Sequence, residues 1–185
     1  MNSVKDTDVD LIESIRDSSD SALEKLLKRH YTSLYHFSFQ FLKSKDLADE
    51  AVFETFIAIW EHRKSLPRLS NVKAYLFKTT KYKALNILKK EQGAIFLSKD
   101  DENQPCAASD IERKVIAQET FSAIDRVIAK MPKQRQLIFR LNRIEGLKYK
   151  EIADLLDISI NTVQNQMVNA VKFLHDNCPD HRQHR

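Results

Sequence analysis

The sequence predicts an all-helical protein, because turn-forming residues are scarce and apolar residues recur at helical spacing. The 185 residues include only two glycines, Gly93 and Gly146, and four prolines. An average usage of about 7% would give about thirteen glycines. Phosphate-binding loops need clustered glycines, and sandwiches and barrels need many turn residues. Most nucleotide-binding α/β enzymes and most all-β folds are therefore excluded.

The N-terminal half is predicted to form helices that pack on one core. Apolar residues recur every three or four positions from Leu23 to Leu42, as in amphipathic helices. Ser44 can cap the next helix, which runs to about Arg63. The inward face of that helix consists of Ala48, Val52, Phe56 and Ile59.

A third helix and a linker are predicted next. Pro67 and Ser70 interrupt the helical period, and Asn71 can cap a helix that continues to about Lys90. Residues 93–110 contain glycine, proline and an acidic cluster without a sustained period. This composition predicts a flexible linker.

The C-terminal half is predicted to contain a helix-turn-helix. The period returns from Ile111, and Pro132 can begin a helix that continues to Leu141. A short helix over 149–156 is followed by a turn, 157–159, and by a longer helix that Ser159 can cap. Two helices joined by so short a turn are typical of DNA-reading domains. The residues predicted to face inward are Ile152, Ala153, Leu156, Val163, Met167, Ala170, Val171 and Leu174.

The sequence therefore predicts two small helical domains. They cover residues 1–92 and 111–176, are joined by the flexible linker 93–110 and are followed by a polar tail, 177–185.

The second helix of the helix-turn-helix carries amide side chains on its outward face. Such amides can pair bidentately with adenine in the major groove. The predicted DNA contacts are Ser159, Asn161, Thr162, Gln164, Asn165, Gln166 and Asn169. The alternative is an ordinary helical hairpin with an amide-rich solvent face. Lys and Glu would be more usual on such a face, because they favour helix and solubility.

Charge is segregated along the chain, although the net charge is only +4. Residues 1–20 carry six acids, residues 62–90 carry nine Lys or Arg and no acid, and residues 130–150 carry seven Lys or Arg against Glu145. Basic blocks of this kind predict a polyanionic partner.

The basic helix after Asn71 interleaves lysines with aromatic residues. Lysines can hold phosphates while rings stack on exposed bases, which suits single-stranded or melted nucleic acid. The candidate residues of this helix and the preceding loop are Arg63, Lys64, Arg68, Asn71, Lys73, Lys78, Lys81, Tyr82 and Lys89. The alternative is a solvated basic face with aromatic residues in the core, which is the preferred interpretation for Tyr75.

An apolar pair lies within an acidic rim on the helix that follows Ser44. Phe53 and Ile57 are four residues apart, and Glu50, Glu54 and Glu61 surround them on the same face. Exposed apolar groups ringed by charge are typical of protein-interaction sites. The alternative is that Phe53 packs beneath an N-terminal helix.

Catalytic, metal and membrane features are not predicted. No run approaches the roughly 18 apolar residues of a membrane span, and the N-terminus lacks a signal-peptide core. Cys106 and Cys178 have no CxxC spacing, which favours a reduced, cytoplasmic protein. The Glu-x-x-His pairs of di-iron bundles are missing, and no catalytic grouping is evident. We therefore expect neither an enzyme nor a cofactor.

Three segments together resemble the extracytoplasmic-function group of the sigma-70 family of bacterial sigma factors. DLADEAVFETFIAIWEHR resembles the family's region 2.2, AYLFKTTKYKALNILKK resembles regions 2.3 to 2.4, and residues 131–174 resemble region 4. The phrase RIEGLKYKEIADLL resembles a branch common in the Bacteroidetes, whose members are often paired with membrane-anchored anti-sigma proteins. Phe53, Tyr82 and Asp157 depart from the residues usual in the family, as do the amides of the last helix.

The resemblance implies a transcription-initiation factor whose chemistry is supplied by its polymerase. The N-terminal domain would bind core RNA polymerase through Asp49, Glu50, Phe53, Glu54 and Ile57. The basic helix and its loop would capture the melted −10 promoter element, and the helix-turn-helix would read the −35 element. The acidic segment 99–102 would thread toward the polymerase cleft. An anti-sigma factor is the further expected partner.

One rival interpretation stays open at this point. A two-domain helix-turn-helix regulator, with a helical sensing domain, would have a similar composition. Such a regulator would bind duplex DNA without polymerase, whereas a sigma factor would bind promoter DNA poorly alone.

Overall fold

The structure, a computed structural model, describes residues 6–97 and 123–177. Every regular element within these two ranges is helical. The chain divides into two compact units, residues 1–99 and 100–185, and the helix-turn-helix lies in the second. The predicted all-helical, two-part fold class is therefore confirmed.

Unit 1 consists of three long helices that pack on one another and one short helix beside them. The short helix is α1 (Asp8–Arg16), and the long ones are α2 (Asp20–Leu42), α3 (Lys45–Glu61) and α4 (Val72–Leu97). A 3₁₀ turn at Arg63–Ser65 lies between α3 and α4. The helices α2, α3 and α4 contact one another, and α1 lies against α2, α4 and the 3₁₀ turn. Each helix begins at a polar cap, formed by Thr7, Ser19, Ser44 and Asn71.

The core of unit 1 is mainly apolar and includes a pair of threonine hydroxyls. Leu26, Leu34 and Leu76 are fully buried. Thr55 of α3 and Thr80 of α4 are also buried, and their Oγ1 atoms lie 3.1 Å apart. Because Thr55 also donates to the Ala51 carbonyl at 2.8 Å, the pair satisfies its polar groups inside the core.

The helix α1 was not predicted, because the sequence of residues 1–20 was interpreted only as an acidic segment. Its apolar residues Leu11, Ile12 and Ile15 recur at helical spacing and are all buried. Thr7 and Asp10 form a capping box at its start. The acids therefore occupy the cap and the outer side of a helix that belongs to the core.

The helix α4 continues beyond its predicted end. It runs to Leu97, whereas the sequence favoured an end near Lys90 and a linker from Gly93. A single glycine costs a helix only about 1 kcal/mol relative to alanine, which does not by itself stop one. The helix therefore continues past Gly93, and the linker bounds 93–110 stay a prediction. The remainder of the linker, with Cys106 and the acidic segment, lies outside the described residues, as do Cys178 and the tail beyond Asn177.

Unit 2 holds the helix-turn-helix. Its helices are α5 (Ala123–Ala129), α6 (Lys133–Arg143), α7 (Tyr149–Leu156) and α8 (Ile160–Asn177). Pro132 stands at the N-cap of α6, and Asp157 ends α7 in the left-handed conformation with φ 54°. The predicted bounds of α7 and the start of α8 are confirmed. The described residues contain no helix long and apolar enough to cross a membrane.

Three residues of unit 2 that were predicted to face inward are not fully buried. Leu155 is buried on α7, whereas Leu156 is only half-buried, as is Leu174 of α8. On α8, Val171 is 49% exposed. At 100° per residue, Val171 lies about 80° around the helix from Val163 and about 100° from Ala170. It therefore stands at the edge of the buried stripe.

Candidate nucleic-acid interface

The N-terminus of α8 is fixed by two of the predicted DNA-contacting residues. The Ser159 Oγ accepts a hydrogen bond from the Thr162 backbone N–H at 3.0 Å, and the two hydroxyl oxygens lie 2.8 Å apart. These side chains are therefore used in capping the helix. Their contribution is to aim the first turn of α8, whereas the residues that follow carry its outward chemistry.

The amide face of α8 consists of four exposed side chains and one that the fold engages. Asn161, Gln164, Asn165 and Asn169 are exposed. Gln166 is half-buried, and its Oε1 accepts a hydrogen bond from the Arg135 Nε at 3.2 Å. Arg135 lies on α6, and the sequence analysis did not single it out. It is a cation held beside the amide face by Gln166.

The basic helix α4 presents an exposed aromatic ring between exposed lysines. Tyr82 is 67% exposed, and Lys78 and Lys89 are also exposed. Lys81 is half-buried, and Lys73 lies close enough to His30 to lower the pKa of that imidazole. The exposed part of this helix therefore centres on Tyr82.

The loop between α3 and α4 is tied to the rest of unit 1 at both ends. Arg63 donates from Nε to the Ser18 hydroxyl at 3.0 Å and from Nη1 to the Trp60 carbonyl at 2.7 Å, and its guanidinium lies over the Trp60 ring. Asn71 accepts from the Ala74 backbone N–H at 3.1 Å. Arg63 and Asn71, both predicted as nucleic-acid contacts, therefore form hydrogen bonds within unit 1. Lys64 and Arg68 are exposed.

The acidic-rimmed pair on α3 is accessible. Phe53 and Ile57 are each 49% exposed, and Glu50 beside them is exposed. Glu54 forms an ion pair with Lys83 of α4, with 3.0 Å between Oε2 and Nζ. Phe53 therefore does not pack beneath α1, which was the alternative considered from the sequence.

A row of aromatic residues on α2 extends this face, and the sequence analysis missed it. The rings of Tyr31 and Tyr35 stack with centroids 6.1 Å apart, and Tyr35 and Phe39 stack at 6.2 Å. Phe53 lies 6.1 Å from Tyr31. The Tyr31 hydroxyl donates to the Asp49 carboxylate, which raises the pKa of Tyr31 to about 12. The signal was the four-residue spacing of the α2 aromatics, which also fits a core stripe.

Metal-ligating side chains do not cluster in the part of the chain that the structure describes. No group of three or more His, Cys, Asp or Glu side chains in residues 6–97 and 123–177 is placed to hold a metal ion. The buried His30 pairs with Asp8, but its side chain is closed off from solvent.

Each of the two units matches a region of one known protein family. Residues 26–94 match sigma-70 region 2, and residues 121–174 match sigma-70 region 4. The chain belongs to the sigma-70 family. Sigma-70 proteins are transcription-initiation factors, and the two matched regions contain all but the last three residues of the basic helix and of the helix-turn-helix.

Relatives of this sigma-70 protein include members of the predicted group. The ECF RNA polymerase sigma-E factor of Haemophilus influenzae is 22% identical over 177 residues, which are 91% of this chain and 93% of that protein. The predicted membership of the extracytoplasmic-function group is confirmed. The Bacteroidetes branch within it stays a prediction.

Two solved structures share the fold. CnrH, in complex with the cytosolic domain of CnrY, has a TM-score of 0.54 at 17% identity, over 91% of this chain and 95% of that one. RpoE of Bartonella quintana, in complex with the anti-sigma factor NepR, has a TM-score of 0.53 at 17% identity, over 86% of this chain and 98% of that one.

Proposed function

We propose that this sigma factor directs promoter-specific initiation by holding the melted −10 element on unit 1 and reading the −35 element with α8. The exposure of Tyr82 between Lys78 and Lys89 carries the proposal. A duplex-binding helix needs cations and hydrogen-bonding groups, whereas an exposed ring provides a stacking surface for unpaired bases. This observation favours a sigma factor over a regulator that binds only duplex DNA.

The −35 element is assigned to the exposed amides of α8. Asn161, Gln164, Asn165 and Asn169 lie on the part of the helix that follows the Ser159 cap. A recognition helix contacts base edges through its N-terminal residues, and an amide reads adenine through two hydrogen bonds. Ser159 and Thr162 position the helix, and Gln166 orients Arg135.

Core RNA polymerase is assigned to the face shared by α2 and α3. Phe53 and Ile57 supply the apolar centre, and Glu50 supplies an exposed charge at the rim. Tyr31 and Tyr35 widen the centre with aromatic surface, which is enriched at protein interfaces. Asp49 acts by holding Tyr31 in place.

An anti-sigma factor is the proposed regulatory partner. CnrH was solved with the cytosolic domain of CnrY, and RpoE with the anti-sigma factor NepR. We assign this sigma factor a partner of the same kind, anchored in the membrane, as in the resembling branch. Since polymerase and chromosome are cytoplasmic in bacteria, the sigma factor acts in the cytoplasm, and it needs no cofactor and catalyses no reaction.

Run-off transcription with core polymerase tests the proposal. The full chain should give a promoter-dependent transcript that core polymerase alone does not give. Tyr82→Ala should reduce the transcript on a duplex promoter, since a stacked base is worth about 1–3 kcal/mol. Tyr149→Ala, in the helix-turn-helix, is the matched loss of a tyrosine outside the −10 surface. Tight binding to duplex DNA without polymerase, together with no transcript, would support the regulator instead.

A further inference from the structure

The last residue of α1 holds the loop that leads into the basic helix. The Arg16 Nη2 donates to the Leu66 carbonyl at 2.8 Å and to the Pro67 carbonyl at 2.7 Å. These carbonyls lie fifty and fifty-one residues along the chain from Arg16. The Arg16 side chain is only 21% exposed. The contact therefore joins two distant segments at a partly buried site.

The position of the Arg16 guanidinium is specified by the loop. Its Nη1 makes a longer contact of 3.4 Å with Glu13, and its buried Nε has no hydrogen-bond partner among the described residues. A buried N–H without a partner costs free energy. The guanidinium stays there because the two short, charge-assisted hydrogen bonds to the loop outweigh that cost.

The loop has an exposed tip between fixed ends. Leu66 is buried, and Asn71 caps α4. Between them, Pro67, Arg68 and Ser70 are exposed. Proline fixes one backbone torsion and has no N–H, so the carbonyl is the backbone hydrogen-bonding group that Pro67 offers. The Leu66 carbonyl precedes it directly. Arg16 binds both of them.

We propose that Arg16 is a positioning residue for strand capture. By binding two successive carbonyls, it sets the direction in which the segment Pro67–Ser70 leaves the fold, and so the place where Arg68 meets the melted strand. Promoter opening and base selection at the −10 element then depend on α1. This inference rests on the proposed function of the loop and of Tyr82.

The test uses holoenzyme assembled from core polymerase and the full chain. Arg16→Met keeps an unbranched stem of similar length and removes the donors. Lys28→Met is the matched control, because Lys28 is an exposed cation of unit 1 that pairs with Glu24 rather than with the loop. Arg16→Lys restores one donor group and the charge. Open-complex formation is followed by permanganate reactivity of unpaired thymines on promoters with each −10 base substituted.

Arg16→Met should slow opening of the duplex promoter roughly tenfold, the order expected when one or two charge-assisted hydrogen bonds are removed. It should also flatten the base preference at the −10 element and leave core binding unchanged. Arg16→Lys should lie between wild type and Arg16→Met. On a template whose −10 element is already unpaired, the difference in rate should shrink. If Arg16→Met gives the rate and base profile of Lys28→Met, the inference is wrong.

A second variant covers the case in which Arg16→Met does not fold. Arg16→Lys keeps the charge and a long unbranched stem but leaves a single ammonium group in place of the guanidinium whose Nη2 holds the Leu66 and Pro67 carbonyls. It should flatten the −10 profile more weakly than the methionine variant, and an unchanged profile with this folded variant would overturn the inference. Failure of the proposed function is distinguishable, because wild-type protein would then give no transcript at all.

Discussion

Some side chains on the two predicted nucleic-acid surfaces form hydrogen bonds within the protein, whereas others are exposed. On α8, Ser159 and Thr162 are engaged in the cap and Gln166 binds Arg135, whereas Asn165 is exposed. Asn165 lies about 160° around the helix from the buried Val163. It is therefore directed away from the core of unit 2, and its amide can reach a partner without breaking a contact of the fold.

Replacing Asn165 by alanine should relax base preference at one or two positions of the −35 element. An amide that pairs bidentately with adenine contributes about 1–3 kcal/mol of discrimination. Transcription from a promoter library randomised across that element measures the preference. Gln166→Ala is the control on the same helix, and it should reduce activity without changing the profile, because Gln166 orients Arg135. A uniform loss with Asn165→Ala would make that residue a positioning residue.

The buried His30 should make unit 1 sensitive to acid. His30 is 3% exposed, its Nε2 lies 2.7 Å from the Asp8 carboxylate, and burial lowers the pKa of His30. Lys73 and Arg29 lower that pKa further, against the opposing effect of Asp8. Below the ordinary histidine pKa of about 6.5, the unfolded chain gains a proton that the folded chain does not yet bind. The free energy of unfolding should therefore fall as the pH drops through 6.5.

Denaturant unfolding between pH 7 and pH 5 measures this dependence. The fall in unfolding free energy should be smaller for His30→Gln than for wild type. An equal slope in wild type and His30→Gln would assign the acid sensitivity to other groups.

At the scale of the element, α3 divides its surface between the core and a partner. Ala48, Val52 and Phe56 are buried on the side that packs on α2 and α4. Phe53 and Ile57, each directly after a buried residue, are exposed. The helical period therefore places the buried residues on one stripe of α3 and the pair Phe53 and Ile57 on a second, exposed stripe. The exposed stripe is continuous with the α2 aromatics, so two elements contribute to one interface.

Replacing Phe53 and Ile57 together by serine should weaken binding to core polymerase by about 2 kcal/mol or more, since burying one large apolar side chain contributes about 1.5–3 kcal/mol. Helicity should change little, because neither residue is in the core. Val9→Ser removes another exposed apolar residue of unit 1 and should leave the affinity unaltered. Loss of the circular dichroism spectrum in the double variant would instead place the pair in the core.

The exposed lysines of α4 should set the salt dependence of promoter binding. Replacing Lys78 and Lys89 by glutamine should reduce the log–log slope of holoenzyme affinity against salt by about 0.7 to 0.9 for each phosphate that the protein no longer neutralises. The paired variant Lys25→Gln with Lys28→Gln removes the same charge from α2 and should keep the slope. A slope that stays the same in both variants would make α4 a solvated basic face.

Local signals predicted some elements closely and left others out. Some helix ends are set by residues directly beside them in the chain: Ser44 and Ser159 cap helices, and Asp157 ends one in the left-handed conformation. The bounds of α3 and α7 could therefore be predicted from the sequence. The helix α1 depends on burial of three apolar residues against α2, a long-range effect that its acidic composition obscured. The end of α4 was missed because one glycine is a weak stop signal.

The candidate site was predictable in composition but not in accessibility. Periodicity indicated the exposed Phe53 and Asn165, because both follow from the core stripe of their own helix. It could not indicate that Arg63 is bound by Ser18 and Trp60, or that Gln166 is bound by Arg135, since those partners are distant in sequence or on another element.

At the scale of the whole molecule, each unit has a core of its own. Unit 1 buries the apolar faces of α1 to α4, and unit 2 buries Ile138, Ile152 and Val163 around the helix-turn-helix. Self-contained cores of this kind are the property expected of separate domains. The domain bounds expected from the sequence, 1–92 and 111–176, stay a prediction.

Fragments 1–99 and 100–185 should each fold alone. Their circular dichroism spectra should add to that of the full chain, and each should unfold cooperatively on heating. Only fragment 1–99 should bind core polymerase, and Phe53→Ser with Ile57→Ser in that fragment is the control for this binding. A fragment that stays unfolded, while the full chain is folded, would mean that the units depend on each other.

The ion pair between Glu54 and Lys83 connects the proposed polymerase-binding surface of unit 1 with its proposed DNA-binding helix. Glu54 belongs to the predicted polymerase face and Lys83 to the basic helix, and their side chains are 43% and 26% exposed. A polymerase group that takes Glu54 releases an ammonium group for phosphate, and by thermodynamic reciprocity bound DNA then strengthens polymerase binding by the same factor. Pairs this exposed are worth at most about 1 kcal/mol, so the factor is about fivefold or less. If Glu54 binds polymerase as proposed, this one ion pair would give the sigma factor a modest preference for promoter DNA within the holoenzyme.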